Sequence, residues 1–507
     1  MFSGNYPDLV KRLYRLIHVG VLVWLLAICS CGISSTQVDL LDLVLQGGRV
    51  MDPETGLDAV RNVGILGGKI IIVTEESIEG REVIDVTGLV VAPGFIDLHA
   101  HGQDPISNRL QAADGVTTAL ELEVGVFPVE KWLKSRQGKA LLHYGATVGH
   151  TSARIKTMSG LDVPHWPMLA PGDSTLAENK DYAEKQATPK QLAEINEMLM
   201  DGLKEGALGL GLGISYTPAS TREELVGLFQ LASDRDMPIF IHLRDQNTGG
   251  ILGAFQEAIA NAASTGAAVQ IVHLNSTAKQ LAREALNLIR GAREHGVDIT
   301  TEAYPYTASS TFIETAQFDL WENLPEKEYQ RLQWPSTGER LTSKTFKKYR
   351  KQGGFVIIHG RSEETNQWIV SQPDVIVASD GIPFRYGPAH PRGAGTFSRV
   401  LGHYVREKKA LSLMDGLRKC TLLPALRMQS SSILFRNKGR LQEGKDADIT
   451  VFDPDSILDL GTYEKGDQPS RGILHVLVMG TFVLRDGAIV ENVFPGKALK
   501  GKLLAIK

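Results

Sequence analysis

The sequence predicts an α/β protein: a parallel (β/α)8 barrel of the TIM type, with a small β-domain formed by the N- and C-terminal segments. Three observations predict it. Strand-like apolar runs alternate with helical runs between residues 93 and 435, the pattern of successive βα units. Several of these runs end in a polar residue: His99 and His101, His242, His273 and Asp380. β-rich segments with Gly-Gly turns stand at opposite ends of the chain, and they most simply pair with one another. At 507 residues the chain is too long for one small core, which agrees with a large domain and a smaller one.

The first 31 residues read as a targeting segment. Lys11, Arg12 and Arg15 supply positive charge ahead of an apolar run from Val19 to Ile28, too short for a comfortable membrane span. The run ends Ile28-Cys29-Ser30-Cys31-Gly32, which resembles a bacterial lipoprotein cleavage box with Cys31 as the lipidated residue. Cys29 stands where a small aliphatic or hydroxyl residue is more usual. An uncleaved N-terminal anchor and a cytoplasmic enzyme with a misplaced start therefore stay open. The expectation is an exported lipoprotein, attached to a membrane by this segment and facing the periplasm or the cell exterior. Cys420 is the third cysteine, and the set implies no disulfide framework. A net charge of -4 gives no reason to expect a nucleic-acid partner.

Residues 38–92 and 436–507 are assigned to the small β-domain. The first contains Leu43-Val-Leu-Gln-Gly-Gly-Arg-Val and Asn62-Val-Gly-Ile-Leu-Gly-Gly-Lys-Ile; the second contains Asp446-Ala-Asp-Ile-Thr-Val-Phe-Asp and a long β-rich run from Ile473. Barrel strands are expected near 96–101, 116–124, 144–150, 207–213, 238–243, 269–273, 298–303 and 375–380. Gln191–Glu205 and Glu223–Asp234 have helical amphipathic periodicity. Residues 311–352, with Trp321, Trp334 and a basic run from Lys344 to Lys351, break the rhythm and read as an insertion. It is either a solvated helix-rich cap or a lid over the site.

The site is read from the strand ends, where parallel α/β barrels carry their function. In Val91-Ala-Pro-Gly-Phe-Ile-Asp-Leu-His99-Ala-His101 the two histidines are two residues apart, so on a strand both imidazoles point to one side. With His242 and His273 they make a nitrogen-rich site suited to one or two Zn2+ ions or a similar divalent metal. Zinc held in this way activates water at neutral pH. Asp380, at the end of the last strand, is placed to take the water proton and hand it to a leaving nitrogen; a helix cap before Gly381 is its other reading.

Two histidines on strand one, one on each of two middle strands and an Asp on the last strand resemble the metal layout of the amidohydrolase superfamily. Four further blocks narrow the resemblance to the N-acyl-D-amino-acid deacylases, or D-aminoacylases. They are Val148-Gly-His150-Thr-Ser-Ala-Arg154, Gly206-Ala-Leu-Gly-Leu-Gly-Leu-Gly, Glu302-Ala-Tyr304-Pro-Tyr306-Thr-Ala-Ser-Ser310-Thr, and the block from Ala389-His390-Pro391-Arg392 to Arg406. The resemblance implies a metal-dependent hydrolase that cleaves the linear amide of small N-acyl amino acids, of D configuration. It also implies that Arg392 binds the substrate α-carboxylate, a group that suits a guanidinium fork, with Tyr304 and Ser310 beside it. A surface salt bridge is the other reading of Arg392.

The chain departs from that family where a metal-binding cysteine is usual after the second strand. The stretch here is Gly115-Val-Thr-Thr-Ala-Leu-Glu121-Leu-Glu123-Val124-Gly125, and Val124 cannot ligate. Unpaired carboxylates are costly on a buried strand, so Glu123 is expected to be the metal ligand, with Glu121 as the alternative. A shift of one residue turns a side chain to the opposite face, so Glu123 needs a bulge or twist in the strand. His273-Leu-Asn275 is a second departure, since lysine is more frequent in place of Asn275. A cyclic-amide or dipeptide hydrolase of the same superfamily, of the dihydropyrimidinase or isoaspartyl-dipeptidase kind, is the second reading. The absence of a lysine from Gly206 to Ile214 counts against it. A non-catalytic surface binding protein is the third, and the full set of ligand-type residues opposes it.

Overall fold

A computed structural model describes residues 40–163, 165, 179–244, 250–321 and 323–504. The targeting segment of residues 1–31 lies outside them. No helix among the described residues is long and apolar enough to cross a membrane.

Five strands open the described residues: β1 (Leu41–Asp52), β2 (Leu57–Leu66), β3 (Lys69–Thr74), β4 (Gly80–Asp85) and β5 (Val90–Pro93). The barrel follows with β6 (Phe95–Asp97), β7 (Val116–Val126), β8 (His143–Gly149), β9 (Leu210–Gly213), β10 (Ile239–His242), β11 (Val269–Ile271) and β12 (Ile299–Ala303). After an excursion through β13 (Ser309–Phe312), β14 (Leu332–Gln333) and β15 (Phe355–Ile358), the chain returns as β16 (Val375–Val377) to complete the barrel. The eight strands β6 to β12 and β16 pair in sequence order, each parallel to its neighbour. The ring closes beyond the ends of β16 and β6. Gly381 N–H donates to His99 O at 3.2 Å, and Gly102 N–H donates to Gly381 O at 2.9 Å.

Alternation along β10 shows how the strands carry both core and site. Ile239 and Ile241 pack with Leu225, Leu228, Phe229 and Phe255 from the surrounding helices, while Phe240 and His242 share the other face. The helix Pro189–Lys204 begins at a Thr188 capping box, and the helix Arg222–Asp234 is capped by Thr221. The last strand is shorter than the expected 375–380. The buried Asp97 carboxylate accepts from Ser379 N–H at 2.9 Å and from its hydroxyl at 2.5 Å, drawing the chain out of the ladder.

The terminal segments share one nine-stranded sheet. Its C-terminal half is β17 (Ile449–Phe452), β18 (Ile473–Val478), β19 (Thr481–Arg485) and β20 (Ala488–Ile489), and β17 lies antiparallel to β5. This seam joins the foot of the barrel through Thr450 Oγ1, which donates to Gly115 O at 2.7 Å. Asp448 there is paired with Lys438 at 2.7 Å and with His143 at 3.1 Å.

Residues 311–352 hold the helical segments Ala316–Trp321, Glu326–Tyr329 and Ser343–Gln352, in keeping with the helix-rich reading, and the excursion around them adds strands that the sequence did not show. It contains a three-stranded sheet in the order β13-β15-β14 and a core of its own around Phe318, Tyr329, Trp334, Phe346 and Tyr349. Trp334 stacks on Tyr349 with ring centroids 4.0 Å apart. The aromatic side chains of this stretch supply enough apolar surface for a separate small core. Period-based reading missed the three strands because each has only two to four residues.

Candidate metal centre

The strand ends converge on one carboxylate. Glu123 Oε2 lies 2.9 Å from His99 Nε2 and 3.0 Å from His101 Nε2. Its other oxygen lies 2.5 Å from His242 Nδ1 and 3.2 Å from His273 Nε2. Asp380 Oδ1 faces the first pair, 3.4 Å from His99 Nε2 and 3.6 Å from His101 Nε2. Two groups of ligand atoms share Glu123, one with His99, His101 and Asp380 and the other with His242 and His273; a third, of His101, Glu121 and His165, lies beside them. All six side chains of the first two groups are buried.

A bulge delivers Glu123. The β7–β8 register runs regularly to Glu121 opposite Ala146, then jumps so that Val126 faces Val148. The extra length of β7 is looped out around Glu123 and Val124. Gly125 makes this possible: its φ is +63°, and a Cβ there would lie 2.7 Å from Gly149 N.

The cluster fits a divalent metal. His99 Nε2 and His101 Nε2 are 3.1 Å apart, as are His242 Nδ1 and His273 Nε2. Where the outer nitrogen of each ring carries the proton, the two inner nitrogens present lone pairs to one another, an arrangement that a cation between or beside them relieves. The far nitrogens of three rings are anchored, as expected of metal-binding histidines. His99 Nδ1 meets Glu302 at 2.6 Å, His101 Nδ1 meets Glu121 at 2.8 Å, and His273 Nδ1 meets Thr277 Oγ1 at 3.0 Å. Burial works against charge on His99, yet Asp380, Glu123 and Glu302 raise its pKa well above the ordinary histidine value. Burial likewise opposes ionisation of Glu123, and the facing His99 and His242 hold its carboxyl well below the usual range.

Glu121 shares a face with Glu123 but serves a different partner. It bridges His101 Nδ1 and His165 Nε2, the latter at 2.6 Å. These histidines outweigh its burial and bring its pKa to about 2. Asp380 takes a left-handed backbone, φ +52°, and no helix begins at Gly381, so the helix-cap reading is set aside. Burial would raise its carboxyl; Arg392 and His99 more than offset this and keep it well below the aspartate range.

Arg392 is 1% exposed, which corrects the surface salt-bridge reading. Its Nη1 lies 2.9 Å from Asp380 Oδ2, its Nη2 donates to Ser310 O at 3.1 Å, and its Cζ is 4.7 Å from the Tyr304 ring centroid. Its Nε is buried without a hydrogen-bond partner. A narrow cleft opens over the centre, lined by Glu123, His242, His273, Asp380 and, from β13, Ser309, Ser310 and Thr311. Tyr216, Ser276, Gln317 and Ile358 complete the lining. Ser310 thus reaches the cleft, while Tyr304 is fully buried beside Arg392.

Residue reasoning missed several of these groups. Glu302 lies one residue before the end of an expected barrel strand and was detectable by the same strand-end argument that found His273. Gln317, whose Nε2 is 3.3 Å from His242 Nε2, and Tyr216, whose ring is 4.8 Å from that of His242, carry no comparable signal in the sequence.

A family model for the amidohydrolase family matches residues 82–213 and 168–484. The chain belongs to the amidohydrolase family. This amidohydrolase is 29% identical to the N-acyl-D-glutamate deacylase of Alcaligenes xylosoxydans xylosoxydans, over 91% of this chain and 96% of the relative. It is 28% identical to the D-aminoacylase of the same organism, over 90% of this chain and 97% of the relative. Among solved structures, the amidohydrolase resembles the N-acyl-D-glutamate deacylase of Bordetella bronchiseptica, described in complex with zinc and a phosphonate mimic of the tetrahedral intermediate. The TM-score is 0.76 at 25% identity, covering 91% of this chain and all of that one.

Proposed function

We propose that this amidohydrolase cleaves the amide bond of N-acyl-D-amino acids, using one or two zinc ions held by His99, His101, Glu123, His242 and His273. The observation that carries the reading is Glu123 between two histidine pairs, with Asp380 facing the first pair. The relatives named N-acyl-D-glutamate deacylase and D-aminoacylase support the substrate class. Bound zinc would polarise the amide carbonyl and make water acidic enough to attack it near neutral pH.

The chain's own residues do the rest. Asp380 is kept ionised by Arg392, so it can accept the proton of the attacking water at Oδ1. The same carboxyl then donates that proton to the departing amine nitrogen. Glu302, Glu121 and Thr277 fix the imidazoles so that their free nitrogens face inward. Arg392, Tyr304 and Ser310 are assigned to the substrate carboxylate, with the unpartnered Nε of Arg392 as the available donor. The cyclic-amide reading loses support at β9, which reads Leu-Gly-Leu-Gly and offers no lysine to bridge two metals. The deciding experiment is acetate release from N-acetyl D- and L-amino acids, run beside hydantoins, by zinc-loaded enzyme. D-selective release is expected; turnover of hydantoins alone would replace this reading with the second one. We also propose that the enzyme is exported and anchored through lipidated Cys31, on the strength of the targeting pattern in residues 1–31.

A further inference from the structure

One cation beside the assigned carboxylate anchors has no place in the reaction as described. Arg361 lies against Tyr304 from the other end of the excursion, with its Cζ 5.1 Å from the ring centroid. Its Nη2 is shared among Tyr304 Oη at 3.1 Å, Tyr306 O at 2.9 Å and Ala308 O at 2.5 Å. Its main-chain N–H donates to Thr307 O at 3.3 Å. Arg361 therefore holds the whole turn from Tyr304 to Ala308, which leads directly into Ser309, Ser310 and Thr311 of the cleft wall.

The charges around it do not balance. Arg392 is paired with Asp380, so that couple is neutral as a unit. His390 adds nothing, since burial together with Arg392 and Arg361 drives its pKa well down. Arg361 has no carboxylate oxygen within 4.0 Å among the described residues, and its Nε is buried without a partner. One positive charge is left over beside the Tyr304 hydroxyl. A partly buried guanidinium without a counter-ion is costly, and an incoming anion relieves that cost.

The hydrogen bond to Tyr304 has a direction. A guanidinium can only donate, so Arg361 occupies a lone pair on Tyr304 Oη and leaves the phenolic proton free to be given away. A phenol held in this way is a donor suited to a carboxylate.

We propose that Arg361 is a positioning residue for the substrate α-carboxylate: it orients Tyr304 as a donor and supplies the positive charge that Asp380 cancels on Arg392. The proposal rests on the N-acyl amino acid reading and deepens it. The test compares N-acetyl-D-leucine with N-acetyl-D-leucinamide, in which a neutral carboxamide replaces the charged carboxylate. Acetate release is followed with zinc-loaded enzyme. Arg361→Gln is expected to raise KM for the acid about tenfold or more, the scale of one charge-assisted hydrogen bond, with kcat little changed. The kcat/KM for the amide should stay within about twofold, since no charged anchor is at stake there. Arg361→Lys should recover part of the acid-over-amide preference. Tyr304→Phe should raise KM for the acid by itself and add little in the Arg361→Gln background, because both act through one hydroxyl. A wild type that prefers the acid, with Arg361→Gln lowering acid and amide equally, assigns Arg361 a purely structural role and overturns the proposal alone. A wild type indifferent to acid or amide overturns the carboxylate anchor and the proposal together.

Discussion

Four imidazole nitrogens lie within 3.2 Å of the two oxygens of Glu123, so this side chain ties the two halves of the site together. A carboxylate in place of a thiolate makes the centre harder and able to bridge. Glu121 meets the outer nitrogen of His101 and His165 Nε2, on the far side of the His101 ring from Glu123, where it can tune a metal held by Glu123 without sharing it. Glu123→Gln is therefore expected to remove most tightly bound zinc, measured by mass spectrometry of metals. Glu121→Gln should weaken affinity by about 10–100-fold, the usual effect of losing an outer-sphere partner. The reverse order would move the ligand role to Glu121. Asp380 faces His99 and His101 from a greater distance, 3.4 to 3.6 Å, and is also held by Arg392. Asp380→Asn should keep most of the metal and lower kcat by about two orders of magnitude or more, as loss of a general acid–base group does. Near-normal turnover would take Asp380 out of the mechanism.

At the scale of elements, the seam between the β-domain and the foot of the barrel is electrostatic as well as apolar. Lys438, 3% exposed, meets Asp448 at 2.7 Å and Asp446 at 3.0 Å, while His143 at the start of β8 approaches Asp448 at 3.1 Å. Burial disfavours the Asp448 anion, and His143 and Lys438 outweigh it and hold the carboxyl far below its ordinary value. A depressed carboxyl stabilises the fold above its unfolded pKa, near 4. That contribution is lost as pH falls below this value towards the folded one. Asp448→Asn is expected to cost about 3 kcal/mol at pH 7, since it strips a partner from a buried ammonium. Melting midpoints from pH 7 to 3 check this: the wild type should lose stability steeply below about pH 4 and the variant less so. Parallel pH curves would show that Asp448 is not the group responsible. The bulge in β7 belongs to the same scale. Period-two reading along that strand puts Glu121 and Glu123 on one face, yet only the broken register sends them to different partners.

At the scale of the molecule, a barrel that gathers candidate metal ligands from five of its strand ends is joined to a sheet built from segments on either side of it in the chain. The N-terminal segment ahead of that sheet has the composition of an export signal. If the enzyme is a lipoprotein, mass spectrometry of the membrane fraction will find a diacylglyceryl-modified Cys31 as the mature terminus. An unprocessed Met1, or a terminus elsewhere, would sink the lipoprotein proposal.

The sequence by itself determined the barrel, the shared terminal sheet and the principal ligand-type residues. Each of these is written in local order: the two-residue spacing of His99 and His101, the apolar runs before His242 and His273, and the strand-like ends of the chain. A strand that must bury both faces restricts its residues enough to be recognised without partners. Tertiary structure alone decided what depends on groups distant in the chain. The length of β16 is set by Asp97 from the first strand. The division of labour between Glu121 and Glu123 is set by the bulge opposite β8 and by His165. The pairing of Arg392 with Asp380, and the unpaired charge on Arg361 beside Tyr304, arise where separate crossovers meet. Such contacts leave no periodic trace, because a hydrogen bond or ion pair across the barrel mouth constrains one residue at each end and nothing between them.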